Sequence, residues 1–152
     1  MLENNIAPDF ELVANTGEKV KLSDYRGKNI VLYFYPKDMT PGCTTQACAF
    51  KEEKQSFDLT NTVILGISTD TIERHKKFIE KYDLPFLLLS DEDAGVCKLY
   101  DVWKLKKNFG KEYMGIERST FFINKDGVIE KEWRKVKVKD HIEEVLNFIK
   151  NN

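Results

Sequence analysis

Residues 30–59 read IVLYFYPKDMTPGCTTQACAFKEEKQSFDL, and this stretch gives the strongest indication of the fold class. Its first part, Ile30 to Tyr35, is a nearly unbroken apolar run, which is typical of a strand that is covered on both faces of a sheet. A loop that contains proline and glycine, residues 36–42, follows it, and from Thr44 to about Leu59 the pattern is helical. The apolar stripe of this helix consists of Ala47, Phe50 and Phe57. The stretch therefore predicts a strand–loop–helix unit, with Cys43 at the start of the helix.

Further units of the same kind lie on the C-terminal side of this stretch. Two more apolar strands alternate with helices, and these elements are Val63–Ile67, Thr71–Tyr82, Phe86–Leu89 and Ala94–Tyr100. Residues 101–117 are expected to form a long polar and aromatic connection. Short apolar strands that alternate with helices predict a parallel sheet with both faces covered.

Both ends of the chain add elements to this centre. Residues 10–22 predict a β-hairpin, and Thr120–Ile123 with Val128–Trp133 predict a second one. Asp140, with Glu143 three residues later, is expected to cap a last helix. This order is that of an α/β, thioredoxin-like fold, with a central mixed sheet covered by helices on both faces and an N-terminal β-hairpin extension.

The composition of the chain excludes several classes of protein. The 152 residues include 24 Lys+Arg against 25 Asp+Glu, and a net charge of −1 offers little general attraction for nucleic acid or an anionic membrane. Ten Phe, six Tyr and two Trp support a packed core, which excludes intrinsic disorder. The basic stretch 131–139 is expected to be a strand with a solvated face rather than a nucleic-acid surface. No linker or change in composition divides residues 1–152, so we expect one domain.

The cysteine count and the N-terminus indicate a compartment. Three cysteines are an odd number, which argues against a fully paired secreted scaffold. The first ten residues lack the basic and apolar regions of a signal peptide, and no apolar run approaches the ~18 residues of a membrane span. We therefore expect a reducing, cytoplasmic location, where a cysteine serves reactivity or packing.

Cys43 is the residue best placed for chemistry. It follows a buried strand and a loop, at the carboxyl end of the strand, where the ligands of α/β sheets gather. A thiol at a helix start faces unpaired backbone N–H groups and the positive end of the helix dipole, and both favour the thiolate. The alternative is that Cys43 is a small packing residue at a helix cap, and its position alone leaves that alternative open.

Other residues place Cys43 in a larger pattern. Pro36 and Thr40 precede it with the spacing Pro-x-x-x-Thr-x-x-Cys, Cys48 follows five residues later, and Arg118 lies in the segment GIERSTFFI. This pattern resembles the peroxiredoxins, and most closely their bacterioferritin-comigratory (Q-type) subfamily. Four blocks match that family in its order and extend over nearly the whole chain: residues 7–10 (APDF), 22–28 (LSDYRGK), 40–48 (TPGCTTQAC) and 113–121 (YMGIERSTF).

The resemblance implies a thiol peroxidase that reduces hydrogen peroxide or organic hydroperoxides, with Cys43 as the peroxidatic cysteine. Pro36 would shield the thiolate, and the Thr40 hydroxyl would hydrogen-bond both the thiolate and the peroxide. Arg118 would favour the thiolate and hold the peroxide oxygens. Gln46 occupies a position from which many relatives orient the arginine with a carboxylate. Because a neutral amide could bind Arg118 but not neutralise it, Gln46 is left outside the predicted site.

The resemblance also implies how the sulfenic acid is resolved. In the subfamily, a cysteine at the position of Cys48 is the resolving cysteine and forms an intramolecular disulfide with Cys43. Some relatives carry theirs on the next helix, but residues 71–83 contain no cysteine. No metal, flavin or haem is required. A thioredoxin-like dithiol is expected to supply the electrons, and we expect a monomer or a weak dimer.

Two other functions stay open at this stage. One is a thioredoxin-fold binding or holdase module in which Cys43 and Cys48 form a redox switch without peroxidase turnover. Arg118 argues against it, because a disulfide switch needs no guanidinium to hold a peroxide. The other is a thiol–disulfide oxidoreductase, whose Cys-x-x-Cys spacing differs from the four residues between Cys43 and Cys48.

The remaining candidate residues are assigned structural roles. Cys97 lies in an apolar helical turn and is predicted to pack in the core. His75 lies among charged neighbours, which predicts a solvated helix face, and His141 lies in the first turn of the last helix without motif partners. The run Asp91-Glu92-Asp93 lacks the ligand spacing of a calcium loop and is predicted to be a charge cluster at a helix start.

Overall fold

The computed structural model describes residues 2–151, which are organised around a seven-stranded mixed sheet. In chain order the strands are β1 (Glu11–Ala14), β2 (Lys19–Lys21), β3 (Asn29–Phe34), β4 (Thr62–Ser68), β5 (Leu87–Ser90), β6 (Trp103–Asn108), β7 (Lys111–Ile116), β8 (Ser119–Ile123) and β9 (Ile129–Trp133). The large sheet has the order β2-β1-β5-β4-β3-β8-β9. Strands β3, β4 and β5 are parallel, whereas β1 and β8 run antiparallel to their neighbours β5 and β3. The predicted thioredoxin-like sheet and its N-terminal hairpin are confirmed.

Helices cover both faces of this sheet, as predicted. Within residues 2–151 the α-helices are α1 (Pro41–Glu52), α2 (Lys54–Leu59), α3 (Ile72–Tyr82), α4 (Gly95–Leu99) and α5 (His141–Lys150). The apolar run of β3 alternates between two cores. Val31, Tyr33 and Tyr35 pack on the side of α1, α2, α3 and α5, and Ile30, Leu32 and Phe34 pack on the side of α4. No helix within residues 2–151 is long and apolar enough to cross a membrane.

The helix that carries Cys43 differs from the prediction at its start and in its continuity. It begins at Pro41 rather than Thr44. Proline is favoured at the first helical position because its φ is already close to the helical value. The N–H that proline lacks would have no acceptor in the first turn. It ends at Glu52, and α2 starts after Glu53, whose φ of −101° and ψ of 12° interrupt the helix. Cys43 is therefore the third residue of α1 instead of the residue before it.

The connection predicted over residues 101–117 contains two strands that were not predicted. Most of it forms a two-stranded antiparallel sheet of β6 and β7, with Trp103 opposite Ile116 and Asn108 opposite Lys111. Phe109 and Gly110 connect the strands with φ values of +53° and +77°. Two successive positive φ angles are the mark of a tight hairpin turn whose twist matches that of the strands. Because Phe109 is an unusual residue for such a turn, the sequence carries only a weak hairpin signal.

Two predicted details near the C-terminus are also wrong. Strand β9 ends at Trp133, so the basic residues 134–139 lie outside any strand. Asp140 has a left-handed backbone, with φ +61°, and its side chain makes no capping hydrogen bond to α5. A capping side chain needs a non-helical, extended backbone at that position, which this conformation does not provide.

Candidate active site

Cys43 lies buried at the amino end of α1, and its side chain is 2% exposed. The first helical hydrogen bond of α1 joins the Thr44 N–H to the Thr40 carbonyl at 2.8 Å. The N–H groups of Gly42 and Cys43 come before it, in the turn whose donors have no acceptor within the helix. The thiol therefore sits at the positive end of the helix dipole, where an anion is stabilised.

Arg118 contacts the sulfur directly. Its Nη2 donates to Cys43 Sγ at 3.2 Å, while its Nη1 donates to Gln46 Oε1 at 2.5 Å. The two donors belong to one planar guanidinium, so the bond to Gln46 fixes the direction of the bond to sulfur. Of the residues predicted for the site, Cys43 and Arg118 are the pair that the fold brings into contact.

The sheet explains how Arg118 reaches a cysteine 75 positions earlier in the chain. Strand β8 pairs with β3 so that Ser119 lies opposite Phe34, which puts Arg118 beside the loop that leaves β3. Its carbonyl accepts from the Val136 N–H at 2.9 Å, which holds the backbone from the other side. A Cβ at Gly42 would lie 3.4 Å from Arg118 Nη2, so the guanidinium rests against the backbone of the first turn of α1.

Gln46, which the sequence analysis left outside the site, belongs to it. It follows Cys43 by one helical turn and is completely buried. Its Oε1 accepts from Arg118, and its Nε2 has no hydrogen-bond partner among the described residues. Because the amide is neutral, Arg118 keeps its full positive charge toward the sulfur.

Thr40 and Pro36 flank the site without the contacts expected of them. The Thr40 hydroxyl donates to the Lys37 carbonyl at 2.8 Å, so its one hydrogen is directed into the loop rather than at Cys43. Thr40 is also the residue before α1, with extended backbone angles of −80° and 155°. Pro36 is half-buried at the start of the same loop. A rotation about one side-chain bond would be needed to turn the Thr40 hydroxyl toward sulfur.

Cys48 lies on a different side of α1. The buried stripe of this helix consists of Cys43, Gln46, Ala47 and Phe50, and Cys48 is half-buried outside it. Cys43, Cys48 and Cys97 are all free thiols. Cys97 lies in α4, within the core on the opposite side of the sheet, as predicted.

The prediction for His75 is wrong. Its side chain is fully buried, with Nδ1 2.6 Å from Asp38 Oδ2. Asp38, Asp70 and His75 each offer a metal-ligand atom within 4.8 Å of the others, but hydrogen bonds within the protein already occupy these atoms. The charged residues around His75 in the sequence do not indicate that it is buried, because its hydrogen-bond partner Asp38 lies 37 residues away in the chain.

Two more titratable groups lie near Arg118. Partial burial and the positive charge of Arg118 lower the pKa of Lys106, which the β6–β7 hairpin brings toward the site. Burial lowers the pKa of His141, whose Nε2 lies 2.9 Å from Thr120 Oγ1 and whose Nδ1 lies 3.2 Å from Glu144 Oε1. Lys106 was missed because the hairpin that carries it was not predicted.

Comparison with known proteins agrees with this geometry. Residues 4–132 match the model of the AhpC/TSA family. The chain is 63% identical over 145 residues to peroxiredoxin Bcp of Bacillus subtilis, a match that includes 95% of this chain and 92% of that protein. It is 45% identical over 148 residues to peroxiredoxin Bcp of Escherichia coli K12, with 97% and 95% covered.

Solved structures of similar fold lead to the same family. Peroxiredoxin Q of Xanthomonas campestris superposes with a TM-score of 0.90 at 40% identity, over 94% of this chain and 90% of that one. The bacterioferritin comigratory protein of the same organism, studied for alkyl peroxide reduction, gives a TM-score of 0.89 at 40% identity, with 93% and 90% covered. The chain therefore belongs to the AhpC/TSA family, as a thiol-dependent peroxidase of the Bcp peroxiredoxin type.

Proposed function

We propose that Cys43 is the peroxidatic cysteine of this peroxidase, that it reduces hydrogen peroxide and organic hydroperoxides, and that it forms an intramolecular disulfide with Cys48. The observation that carries the proposal is the 3.2 Å contact between Arg118 Nη2 and Cys43 Sγ at the open start of α1. The study of alkyl peroxide reduction on the Xanthomonas campestris relative supports the inclusion of organic hydroperoxides.

In the first step the Cys43 thiolate attacks one oxygen of the peroxide. An S–O bond forms, the O–O bond breaks, and the second oxygen leaves as hydroxide or alkoxide. That anion takes up a proton to become water or an alcohol, and Cys43 becomes a sulfenic acid. The sulfur is oxidised by two electrons, and the peroxide is reduced by two.

The surrounding donors act on the departing oxygen. Arg118, which already donates to the sulfur, and the N–H groups of Gly42 and Cys43 in the first turn of α1 are the proposed donors to the negative charge that develops there. Thr40 joins them when its hydroxyl turns from the Lys37 carbonyl. Pro36 limits the access of water to the sulfur.

In the second step the Cys48 thiol attacks the sulfenic sulfur, an S–S bond forms, and water leaves. Two residues five positions apart in an α-helix are displaced ~7.5 Å along the axis, and their Cα atoms lie roughly 8.7 Å apart. A disulfide needs Cα atoms within about 7 Å of each other. Because α1 is unbroken from Pro41 to Glu52, its first turns must unwind before the bond can close.

This unwinding is local. Phe50 is completely buried and keeps the second half of α1 on the sheet, while Gly42 and Thr45 are exposed and hold little of the helix in place. We expect the oxidised protein to lose hydrogen-exchange protection near residues 43–48 and to keep it around Phe50. A Cys43–Cys48 bond within an intact helix would contradict the resolving step without affecting the first.

A thioredoxin-like dithiol is the proposed electron donor, because it can attack the exposed disulfide and leave as a disulfide itself. All residues of the site belong to one chain, which supports a monomer or a weak dimer as the working form. We further propose that residues 1–152 act as one domain. The odd number of cysteines and a net charge of −1 support a place in the reducing cytoplasm, away from nucleic acid and membranes.

The test is peroxide consumption by the purified protein with thioredoxin, thioredoxin reductase and NADPH. We expect one NADPH oxidised for each molecule of hydrogen peroxide or tert-butyl hydroperoxide consumed, and none with the Cys43→Ser control. If peroxide oxidises the thiols, but neither thioredoxin nor another dithiol donor supports continued NADPH consumption, the redox-switched binding module is favoured instead.

A further inference from the structure

The loop between β3 and α1 carries a buried acid that the peroxidase chemistry does not use. Asp38 is 1% exposed, and all its polar groups are bound. Its N–H donates to Asp70 Oδ2 at 2.7 Å, and its carbonyl accepts from Arg74 Nη2 at 3.0 Å. Its carboxylate accepts from the Tyr35 hydroxyl at 2.5 Å and lies 2.6 Å from His75 Nδ1. These five residues are called the Asp38 anchor below.

His75 ties this anchor to the sheet. Its Nε2 lies 3.1 Å from the Leu89 carbonyl in β5. Because a backbone carbonyl and a carboxylate both only accept, Nε2 is the donor to Leu89 and Nδ1 is the donor to the Asp38 carboxylate. Asp70 is held in turn by Ser68 Oγ at 2.7 Å, at the end of β4. The loop before Cys43 is thus fastened to α3, β4 and β5, none of which unwinds in the proposed resolving step.

A strained residue separates the anchor from α1. Met39 has a φ of +62°, in the left-handed region that residues other than glycine seldom adopt. Thr40 returns to an extended conformation, and α1 follows at once. Such strain persists only where the structure on both sides holds it. The Asp38 anchor provides one side, and the packing of Ala47 and Phe50 provides the other.

We propose that the Asp38 anchor positions the first turn of α1 for the reaction with peroxide, and that it is the fixed end of the segment that unwinds to form the disulfide. The proposal rests on the proposed function and adds Asp38 and His75 as positioning residues. A weaker anchor should affect the two steps in opposite ways. The peroxide reaction needs Cys43 aligned with Arg118 and should slow, whereas disulfide formation needs the first turn unwound and should not.

Two substitutions of His75 form a matched pair. In His75→Asn the amide nitrogen takes roughly the place of Nδ1 and can still donate to Asp38. In His75→Gln it takes the place of Nε2 and can donate to Leu89, but the donor to Asp38 is lost. Both remove the ring from the same buried site, so a loss of packing affects both. Tyr35→Phe removes only the hydroxyl that donates to Asp38.

Stopped-flow tryptophan fluorescence of the reduced protein mixed with hydrogen peroxide separates the two steps, because only the first depends on peroxide concentration. We expect His75→Gln to lower the second-order rate constant of the first step by about tenfold, as misplacement of a reacting group does. The first-order rate of its second step should be unchanged or higher. His75→Asn should keep the first step near the rate of the unaltered protein, and Tyr35→Phe should fall between the two.

An equal loss in the first step for His75→Asn and His75→Gln would overturn the proposal, and so would a parallel slowing of both steps in His75→Gln. If His75→Gln does not fold, Tyr35→Phe decides the question, since an unchanged first step in that variant would contradict the anchor. An unaltered protein without a peroxide-dependent phase would instead contradict the proposed function.

Discussion

Cys43 and Cys97 occupy matching places in two helices and differ in what faces them. Each is the third residue of its helix, α1 or α4, and their side chains are 2% and 0% exposed. Burial and position along the helix are therefore the same for both thiols. The charged groups that face the two thiols are different.

The first turn of α4 is closed by a carboxylate. Asp91 accepts from the Val96 N–H at 3.1 Å and from the Cys97 N–H at 2.7 Å, so the helix donors are already occupied. Burial, and then the hydrogen bond and charge of Asp91, raise the pKa of the Cys97 thiol far above its ordinary value. Both effects disfavour the thiolate of Cys97.

The first turn of α1 is open and faces a cation. Arg118 Nη2 donates to Cys43 Sγ, whereas the group beside Cys97 is the Asp91 carboxylate, which accepts from the helix N–H groups. The comparison teaches that burial at a helix start does not by itself make a reactive cysteine. On the proposed assignment of Cys43, the sign of the charge that faces the thiol distinguishes the reaction centre from the core cysteine.

Removal of the thiol at the open site should have the largest effect. Cys43→Ser should abolish peroxide turnover, because the hydroxyl that replaces the thiol is a far weaker nucleophile at neutral pH. The measurement is NADPH consumption in the thioredoxin-coupled assay, with Cys97→Ser as the control. Peroxidase activity that survives in Cys43→Ser would contradict the assignment of Cys43 as the peroxidatic cysteine.

Removal of the facing cation should have the next largest effect. An ordinary thiol is about 3% ionised at neutral pH, so full ionisation can raise its rate at most ~30-fold, or roughly 2 kcal/mol. We expect Arg118→Ala to slow the peroxide reaction by more than this, since the donors to the departing oxygen are also lost. Arg118→Lys should recover only part of the rate, because an ammonium cannot offer two parallel donors. Full recovery of the Arg118→Ala rate at high pH would show that Arg118 acts only by favouring the thiolate.

Removal of the Cys97 thiol should change stability rather than turnover. Cys97→Ala should leave the steady-state rate intact and lower the free energy of unfolding by roughly 1 kcal/mol, because it opens a small cavity in the core. Urea denaturation and the coupled assay measure the two quantities. A disulfide between Cys43 and Cys97 that forms during catalysis would contradict the account.

Burial should disfavour the charged form of His141, as it does at Cys97, and the expected effect is a small pH dependence of the free energy of unfolding. Burial lowers the pKa of His141 below 6.5, so the unfolded chain binds more protons in the range just below that pH. The free energy of unfolding should therefore fall as the pH decreases through this range. His141→Gln, whose side-chain oxygen can still accept from Thr120, should weaken this dependence. An identical pH dependence in both proteins would show that other groups cause it.

Much of the fold, and the place of Cys43 at a helix start, were accessible from local patterns, whereas Arg118 was expected only from the resemblance to a family. The run Ile30–Tyr35 shows its burial directly, and Cys43 follows it at a loop and a helix start. The hairpin over residues 103–116 was missed because its strands alternate charged and apolar residues weakly and turn at Phe109. Contacts made across the sheet, such as Gln46 with Arg118, leave no periodic signal in a single sequence.

The anchor residues show the same limit more clearly. His75 has charged neighbours in sequence, which predicts a solvated face, yet it is fully buried. Its burial depends on Asp38, which lies in the loop before α1 and supplies a hydrogen bond that a buried imidazole requires. The sequence pattern of a single helix cannot show a hydrogen-bond partner that lies elsewhere in the chain.

The most direct test of the contrast between the two buried cysteines is mass-spectrometric mapping of the reduced Cys48→Ser variant after one equivalent of hydrogen peroxide, with dimedone to trap sulfenic acid. The absence of Cys48 stops the reaction after the first step, so the site of attack is preserved. We expect the dimedone label on Cys43 and an unmodified thiol at Cys97. Label on Cys97 equal to or above that on Cys43 would contradict the claim that the facing charge sets the reactivity of the two thiols.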